Sequence, residues 1–399
     1  MHKPAIALVA VSPLVTWVVP AVAVHPELAS LVPFSFERAG ALLYVAMVLW
    51  VAALEIAGNH MRELTPAWRA GALFAVAAII ASAFGFDPLS GIPAAVVFGA
   101  VLLAGSGIYR AAREGAWDAV LTAWLWSGCV MCAIALVALL ARWPVSAYAF
   151  AHGRAVGIFQ NPNELALFAL SVLGPAAGAL LCGYRGRRLA IVTLVLAVAA
   201  LFATGSRSGE ASFGIGAVAL LLALRRSPTR ANVLALVVVA AIGIAFAFGF
   251  DSRHNPAESD TRVVAWQAGL RTIALFPLTG VGVGAYYRLY PFVRPPDAPS
   301  PPDPVAFDPH DFYLSVAAET GLLGLAAFVW TIVLFAREAG AILKSAPETS
   351  RRFGLAVLAG LLAIACHLIF NGFAISIVLW SILAALTMGI PRSEHRHAA

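Results

Sequence analysis

The chain has 399 residues, of which 61% are hydrophobic and only 12% charged, with a formal net charge of +6. Soluble domains carry about 25% charged residues, so a soluble globular enzyme is excluded. The positive charge sits mostly in short loops between apolar runs and does not point to nucleic acid.

Apolar runs of near-membrane length recur from end to end, and each needs roughly 20 residues to cross a bilayer. The fold class is all-α: a polytopic membrane protein with about 12 transmembrane helices, read as one integral membrane domain over 1–399. In chain order the spans are 5–24, 40–58, 70–85, 92–108, 117–140, 163–182, 189–204, 209–224, 231–250, 312–335, 353–370 and 373–390. The first run leads into further spans and lacks a clear small-residue cleavage site, so it reads as a span and not a signal peptide. Cys129, Cys132, Cys182 and Cys366 all fall in or at the end of apolar runs. Cys129-x-x-Cys132 lies inside one span and reads as small core residues, and neither a disulfide framework nor a zinc site is indicated.

With the N-terminus in the cytoplasm, 17 of the 26 Lys and Arg residues fall on the inner side, "GYRGRR" and "LRRSPTR" among them. The positive-inside trend therefore puts both termini in the cytoplasm. Nine arginines remain outside, five of them in one long outer loop, 251–311, between spans 9 and 10. That loop is too long to be a passive connection. Its first half, "DTRVVAWQAGLRTIALF", has apolar residues at helical spacing and predicts an amphipathic helix on or in the outer surface. Its second half, "RPPDAPSPPDPVAFDP", is proline-rich and reads as extended or mobile.

Three spans open at the outer face with helix-start signatures. "NPNE" offers Asn161 as cap, Pro162 at the first helical position and Glu164 where a capping box wants an acid. "DPHD" offers Asp308 as cap, then Pro309, with Asp311 equivalent to Glu164; "TGSRSG" offers Ser206 or Ser208. Free N–H groups and the helix dipole make such ends anion sites, so Asn161, Asn163, Ser206 and Asp311 are candidate substrate-binding positions. Arg154, Arg207 and Arg262 stand close by in sequence or on the loop helix. An arginine at the hydrocarbon edge is costly unless paired or hydrated, and its planar fork matches phosphate oxygens. The group suggests a polyanionic ligand, and a pyrophosphate fits; the alternative is snorkelling to headgroups or pairing with a nearby acid.

His310, at the second position of the tenth span's helix on this reading, could take or give a proton, or could be a surface histidine at a loop end. Glu319 could be a buried acid, or "ETGLLGL" could be tight packing. "GVGVGAYYRLYP" lacks the strand–turn–helix context of a nucleotide loop. It reads as a flexible turn with aromatics at the interface, with Tyr286 and Tyr287 as a candidate sugar-stacking platform.

In order along the chain, "GRAVGIFQNPNELA", "ATGSRSG", "TRVVAWQAGL…PLTGVGVGAYY" and "PHDFYLSVAAETGLLGLAAF" resemble the O-antigen ligase/polymerase superfamily of bacterial inner membranes, over about residues 150–335. Many members have His-Asn where this chain has His310-Asp311. The resemblance implies a GT-C-type helical bundle with a long periplasmic loop. It implies a metal-independent glycosyltransferase with no cofactor, taking its glycan from an undecaprenyl pyrophosphate donor at the periplasmic face of the inner membrane. It carries functional roles onto Arg207, Arg262 and His310, with Arg154 as a further basic position. The expected reaction is that of an O-antigen ligase, inverting transfer to lipid A–core oligosaccharide, in contact with membrane lipids. A polymerase of the same fold is the alternative. A lipid or anion transporter would instead need polar residues threading the spans, whose interiors are nearly free of charge apart from Glu55, Glu210 and Glu319.

Overall fold

The computed structural model describes residues 2–17, 36–142, 153–159, 161–224, 256–296, 309–372 and 375–391. All regular structure among them is helical: α1 His2–Val11, continued by a 3₁₀ turn Ser12–Trp17; α2 Phe36–Ala57; α3 Pro66–Ala83; α4 Pro88–Ala111; α5 Trp117–Ala141; α6 Pro162–Leu181; α7 Arg187–Thr204; α8 Arg207–Leu224; α9 Pro256–Leu275; α10 Tyr286–Val293; α11 Phe312–Ser345; α12 Glu348–His367; and α13 Ile375–Met388.

Eight helical stretches are long and apolar enough to span a bilayer, and they account for nine of the twelve expected spans. The difference arises because Pro88–Ala141 carries two, α4 and α5, joined by a π-helical turn that reverses at Gly115, φ 109°. The first and last expected spans appear as shorter apolar helices, His2–Thr16 and Ser376–Met388. The expected span 231–250 lies outside the described residues, as do Asp308 and most of the proline-rich stretch.

The most enclosed span is α6, and its glycines explain how α12 reaches the centre. A Cβ on Gly174 would lie 2.8 Å from Ala356 O, and one on Gly178 would lie 3.0 Å from Phe353 O. Gly216 brings α8 equally close to α12, 2.9 Å from Ala359 O. Small residues let membrane helices approach backbone to backbone, so α12 is clamped between α6 and α8. Large apolar side chains such as Leu42, Trp50, Leu140, Val195 and Trp330 point outward, as a lipid-facing belt requires.

Helix direction sorts the loops onto two ends. The α6–α7, α11–α12 and α4–α5 connections lie at one end with His2 and Met388; His2 there pairs with Glu114 at 3.2 Å. The starts of α6, α8 and α11 lie at the other, with the ends of α7 and α12.

One long helix is broken. Within α11, Gly321 has φ 67° and ψ −174°, so Phe312–Thr320 forms a separate first segment. The turn after α9 fills the break. Val281 N–H donates to Ala318 O (3.0 Å), Gly282 N–H to Glu319 O (2.9 Å), and Leu322 N–H back to Pro277 O (2.9 Å). Phe86 N–H donates to Val281 O and Ser82 Oγ accepts from Val283 N–H, which ties the same turn to α3. The stretch expected to be a flexible turn is therefore a backbone clasp, held on both sides. Likewise "ETG" marks the break in α11, with the Glu319 carbonyl used by the clasp.

The loop helix forms as α9. Its buried positions are small ones, Ala265, Ala268, Gly269 and Thr272, one stripe at helical spacing. Gly269 lies against Leu314 of α11. The larger apolar residues Val263, Leu270 and Leu275 face outward beside Gln267 and Arg271.

Candidate functional site

Each helix start at this end is built differently from the others. At α6, Asn161 caps as its sequence context requires: its Oδ1 accepts from Asn163 N–H (2.9 Å) and Glu164 N–H (3.0 Å). The expected capping box does not close. Glu164 is buried, and its carboxylate instead accepts from Thr16 Oγ1 at 2.8 Å, pulling the 3₁₀ turn after α1 onto α6. At α8, Ser206 is the cap, its Oγ accepting from Gly209 N–H at 3.3 Å, which puts Arg207 at the first helical position.

At α11 the cap is Asp311 and not Asp308. Its Oδ1 accepts from Leu314 N–H at 2.9 Å, and the helix begins at Phe312. His310 therefore lies outside the helix, one residue before the cap. It is half-buried with φ 52°, a left-handed conformation that costs a non-glycine residue energy and marks functional sites more often than chance. Burial pushes the Asp311 carboxyl above its usual range, opposed by the N–H groups of Leu314 and Tyr313 that favour the anion.

Arg154 holds a helix end. Its Nε donates to Thr204 O (2.5 Å) and its terminal nitrogen to Gly205 O (3.3 Å), the last carbonyls of α7. A cation there satisfies carbonyls that lack helical partners and complements the negative helix end. Arg154 thus holds the turn from which Arg207 projects, and Ala155 N–H to Ala203 O (2.9 Å) reinforces the grip.

The aromatic pair divides. Tyr286 is fully buried, and its hydroxyl donates to Ala265 O at 2.8 Å, so its ring packs α10 on α9 and offers no stacking face. Tyr287 is half-buried.

These stretches meet on two residues that the sequence reading passed over. His367 closes α12, and Asn371 lies four residues on. His367 Nε2 is 3.1 Å from Asn163 O, next to the α6 cap. Asn371 Nδ2 donates to Ser208 Oγ at 3.1 Å, next to Arg207. Leu368 O accepts from Phe312 N–H at 3.0 Å, two residues after His310, and Ala365 O accepts from Tyr313 Oη at 2.9 Å. Arg262 lies on α9, which packs through Gly269 against Leu314, three residues beyond the Asp311 cap. The end of α12 is thus a hub that gathers three helix N-termini, two of the arginines and the histidine loop. The available signal was "HLIFN", a polar pair at i and i+4 ending an otherwise apolar span.

Chemically, the hub end offers convergent N–H dipoles, two cations beside them and an imidazole at the rim. That combination suits an anionic leaving group next to a proton acceptor. Among the described residues, no three His, Cys, Asp or Glu side chains gather as metal ligands.

No curated protein matches the chain. Residues 192–329, about a third of the chain, span Arg207, Arg262, His310 and the clasp. They match the family model described as O-antigen ligase, a family of glycosyltransferase-like ligases and polymerases, and this match supports the O-antigen ligase superfamily that the chain's motifs resemble.

Proposed function

We propose that this protein is an O-antigen ligase of the bacterial inner membrane. It transfers a glycan from undecaprenyl pyrophosphate to lipid A–core oligosaccharide at the periplasmic face, both termini being cytoplasmic. The observation that carries the reading is the gathering of the Arg207 helix start, Arg262 and the His310 loop around the end of α12. The basic loops at the opposite end support the sidedness by the positive-inside trend.

In the reaction, the acceptor hydroxyl attacks the anomeric carbon as the bond from that carbon to the pyrophosphate oxygen breaks. The configuration inverts in this single displacement. His310 orients the hydroxyl and takes its proton. Arg207 and Arg262, with the α8 N–H groups, bind the pyrophosphate and stabilise the negative charge that grows on it. Arg154 supports Arg207 through the α7 end. Because the arginines supply the charge stabilisation, the proposed reaction is metal-independent.

The test is transfer in chelator, with purified protein, lipid-linked glycan and lipid A–core. A glycan-shifted lipopolysaccharide band is expected, reduced at least about a hundredfold in Arg207→Ala and His310→Ala, the scale of losing one oxyanion donor or a general base. Full transfer by both variants at normal protein levels would refute the residue roles. Longer lipid-linked chains with no shifted lipopolysaccharide would replace the ligase with a polymerase.

A further inference from the structure

His367 is fully buried at the end of α12. Its Nε2 faces the carbonyl of Asn163, which can only accept, so Nε2 carries the hydrogen and Nδ1 carries the lone pair. Nδ1 is buried and meets no hydrogen-bond partner among the described residues. With Nε2 already a donor, the amide of Asn371 at 3.4 Å does not bond to it. That amide instead sends its two hydrogens to His367 O (3.0 Å) and Ser208 Oγ (3.1 Å). Ser208 Oγ lies 3.4 Å from Ser206 Oγ, the cap of α8.

Polar contacts therefore run from Asn163 in the first turn of α6, through the ring and then the backbone carbonyl of His367 and the amide of Asn371, to Ser208 and the α8 cap Ser206. A leucine at 367 would fill the same core without a buried polar atom left unsatisfied. Buried unsatisfied groups are rare and need a reason. Here the reason is geometric: no apolar side chain can donate to the Asn163 carbonyl as the His367 ring does, or to the Ser208 hydroxyl as the Asn371 amide does. The helices themselves approach through glycines, and contacts without hydrogen bonds leave their relative rotation less defined.

We propose that His367 and Asn371 form a positioning pair, which fixes the Arg207-bearing start of α8 against the Asn161–Glu164 start of α6 so that Arg207 and Arg262 address the same pyrophosphate. Neither residue touches substrate. The proposal rests on the ligase reading, and it separates donor handling from acceptor handling, because the side chains of the pair bond to α6 and α8 whereas the segment after His310 is held by the backbone carbonyl of Leu368.

The experiment compares His367→Gln, His367→Leu and Asn371→Leu with wild type and Arg207→Ala, as purified full-length proteins. Two quantities are read: steady-state transfer with donor and acceptor varied in turn, and the Kd for undecaprenyl pyrophosphate. In His367→Leu and Asn371→Leu, kcat/KM for the donor falls at least about tenfold and the undecaprenyl pyrophosphate Kd weakens by a similar factor, while the acceptor KM stays within about threefold. His367→Gln, whose amide reaches the Nε2 position and can donate to Asn163 O, recovers at least about a third of transfer. Wild-type donor kinetics in folded His367→Leu would overturn the pairing. So would equal losses in the Gln and Leu variants, or an acceptor KM that rises in step with the donor effect. If His367→Leu does not fold, Asn371→Leu and the Gln rescue carry the same test. If wild type transfers no glycan, the ligase reading fails on its own terms. The Kd series then decides the pairing, and equal undecaprenyl pyrophosphate binding by all variants would refute it.

Discussion

Gly321→Ala tests how the loop helix and the histidine loop are held together. The break at Gly321 sits in a region of backbone space reserved almost entirely for glycine, and an L-residue there costs about 1–3 kcal/mol. The added Cβ would also meet backbone: Leu278 O and C fall inside contact distance, and Gly280 N lies at 2.6 Å. None of these is a side chain that can swing away. The turn can relieve the overlap only by retreating, which breaks Val281 N–H to Ala318 O, Gly282 N–H to Glu319 O and Leu322 N–H to Pro277 O. At about 1 kcal/mol per backbone hydrogen bond, opening the clasp costs about 3 kcal/mol, whereas keeping it closed carries about 1–3 kcal/mol of backbone strain and, in addition, the overlap with backbone atoms that cannot move aside, so the clasp opens. Opening it frees α9, with Arg262, from α11, with His310. The control is Gly340→Ala on the same helix, where a Cβ meets nothing within 4 Å; alanine there stabilises by about 0.5–1 kcal/mol. Hydrogen–deuterium exchange over residues 277–285 is the assay. About 3 kcal/mol corresponds to roughly hundredfold faster exchange at the Val281 and Gly282 amides. Unchanged exchange in Gly321→Ala, or the same response in Gly340→Ala, would refute the clasp as the element that couples the two arms of the site.

Two further outcomes follow from the site geometry. Arg154→Ala removes charge-assisted bonds to the Thr204 and Gly205 carbonyls and costs about 2 kcal/mol of stability, and Arg154→Lys recovers only part because one ammonium cannot span both carbonyls; denaturant titration in detergent reads this, and an undisturbed Arg154→Ala would remove Arg154 from the support of the Arg207 turn. For Asp311 the folded carboxyl is raised above its ordinary 3.8, so its favourable contribution is present below about pH 4 and is lost as pH rises through the raised value. Asp311→Asn keeps an acceptor for Leu314 N–H and removes the charge, so the variant is at least as stable as wild type at pH 7, with the gap closing towards pH 4; a variant less stable at pH 7, by a margin constant with pH, would contradict the burial argument.

Nine of the twelve expected spans were legible because length and hydropathy alone define them, and Asn161 was legible because a cap with proline behind it is a local signal. Asp308 and His310 were misplaced by one helical start for the same reason: two aspartates flank "PH", and local pattern does not say which of them tertiary contacts select. The Phe312 N–H bond to Leu368 O, between residues far apart in the chain, favours the later one. Arg154 was legible as an arginine at the outer edge but not as a support, because its acceptors are carbonyls of α7 some 50 positions on. The clasp was hidden because glycine-rich sequence reads as freedom. In the fold the same glycines are what allow two backbones to touch. His367 and Asn371 were hidden by their surroundings, since two polar residues do not disturb the hydropathy of a span of this length.

The charged residues within the spans bear on the choice between an enzyme and a transporter. Glu55 is held by Arg110 at 2.5 Å, at the end of the bundle away from the hub. Glu210 is in the first turn of α8, and Glu319 sits at the break in α11. The mid-span hydroxyls of Ser171 and Thr193 are spent on the carbonyls of Phe168 and Leu125. A transport path needs polar groups spaced along the whole thickness of the membrane, so that an ion or headgroup always has its next partner. Among the described residues, the charged groups of the spans gather at helix ends and breaks, and the spans between them close through glycine contacts such as Gly174 against Gly360. That is the distribution expected of a site reached from one side, whose substrate brings its own lipid anchor and leaves its tail in the bilayer.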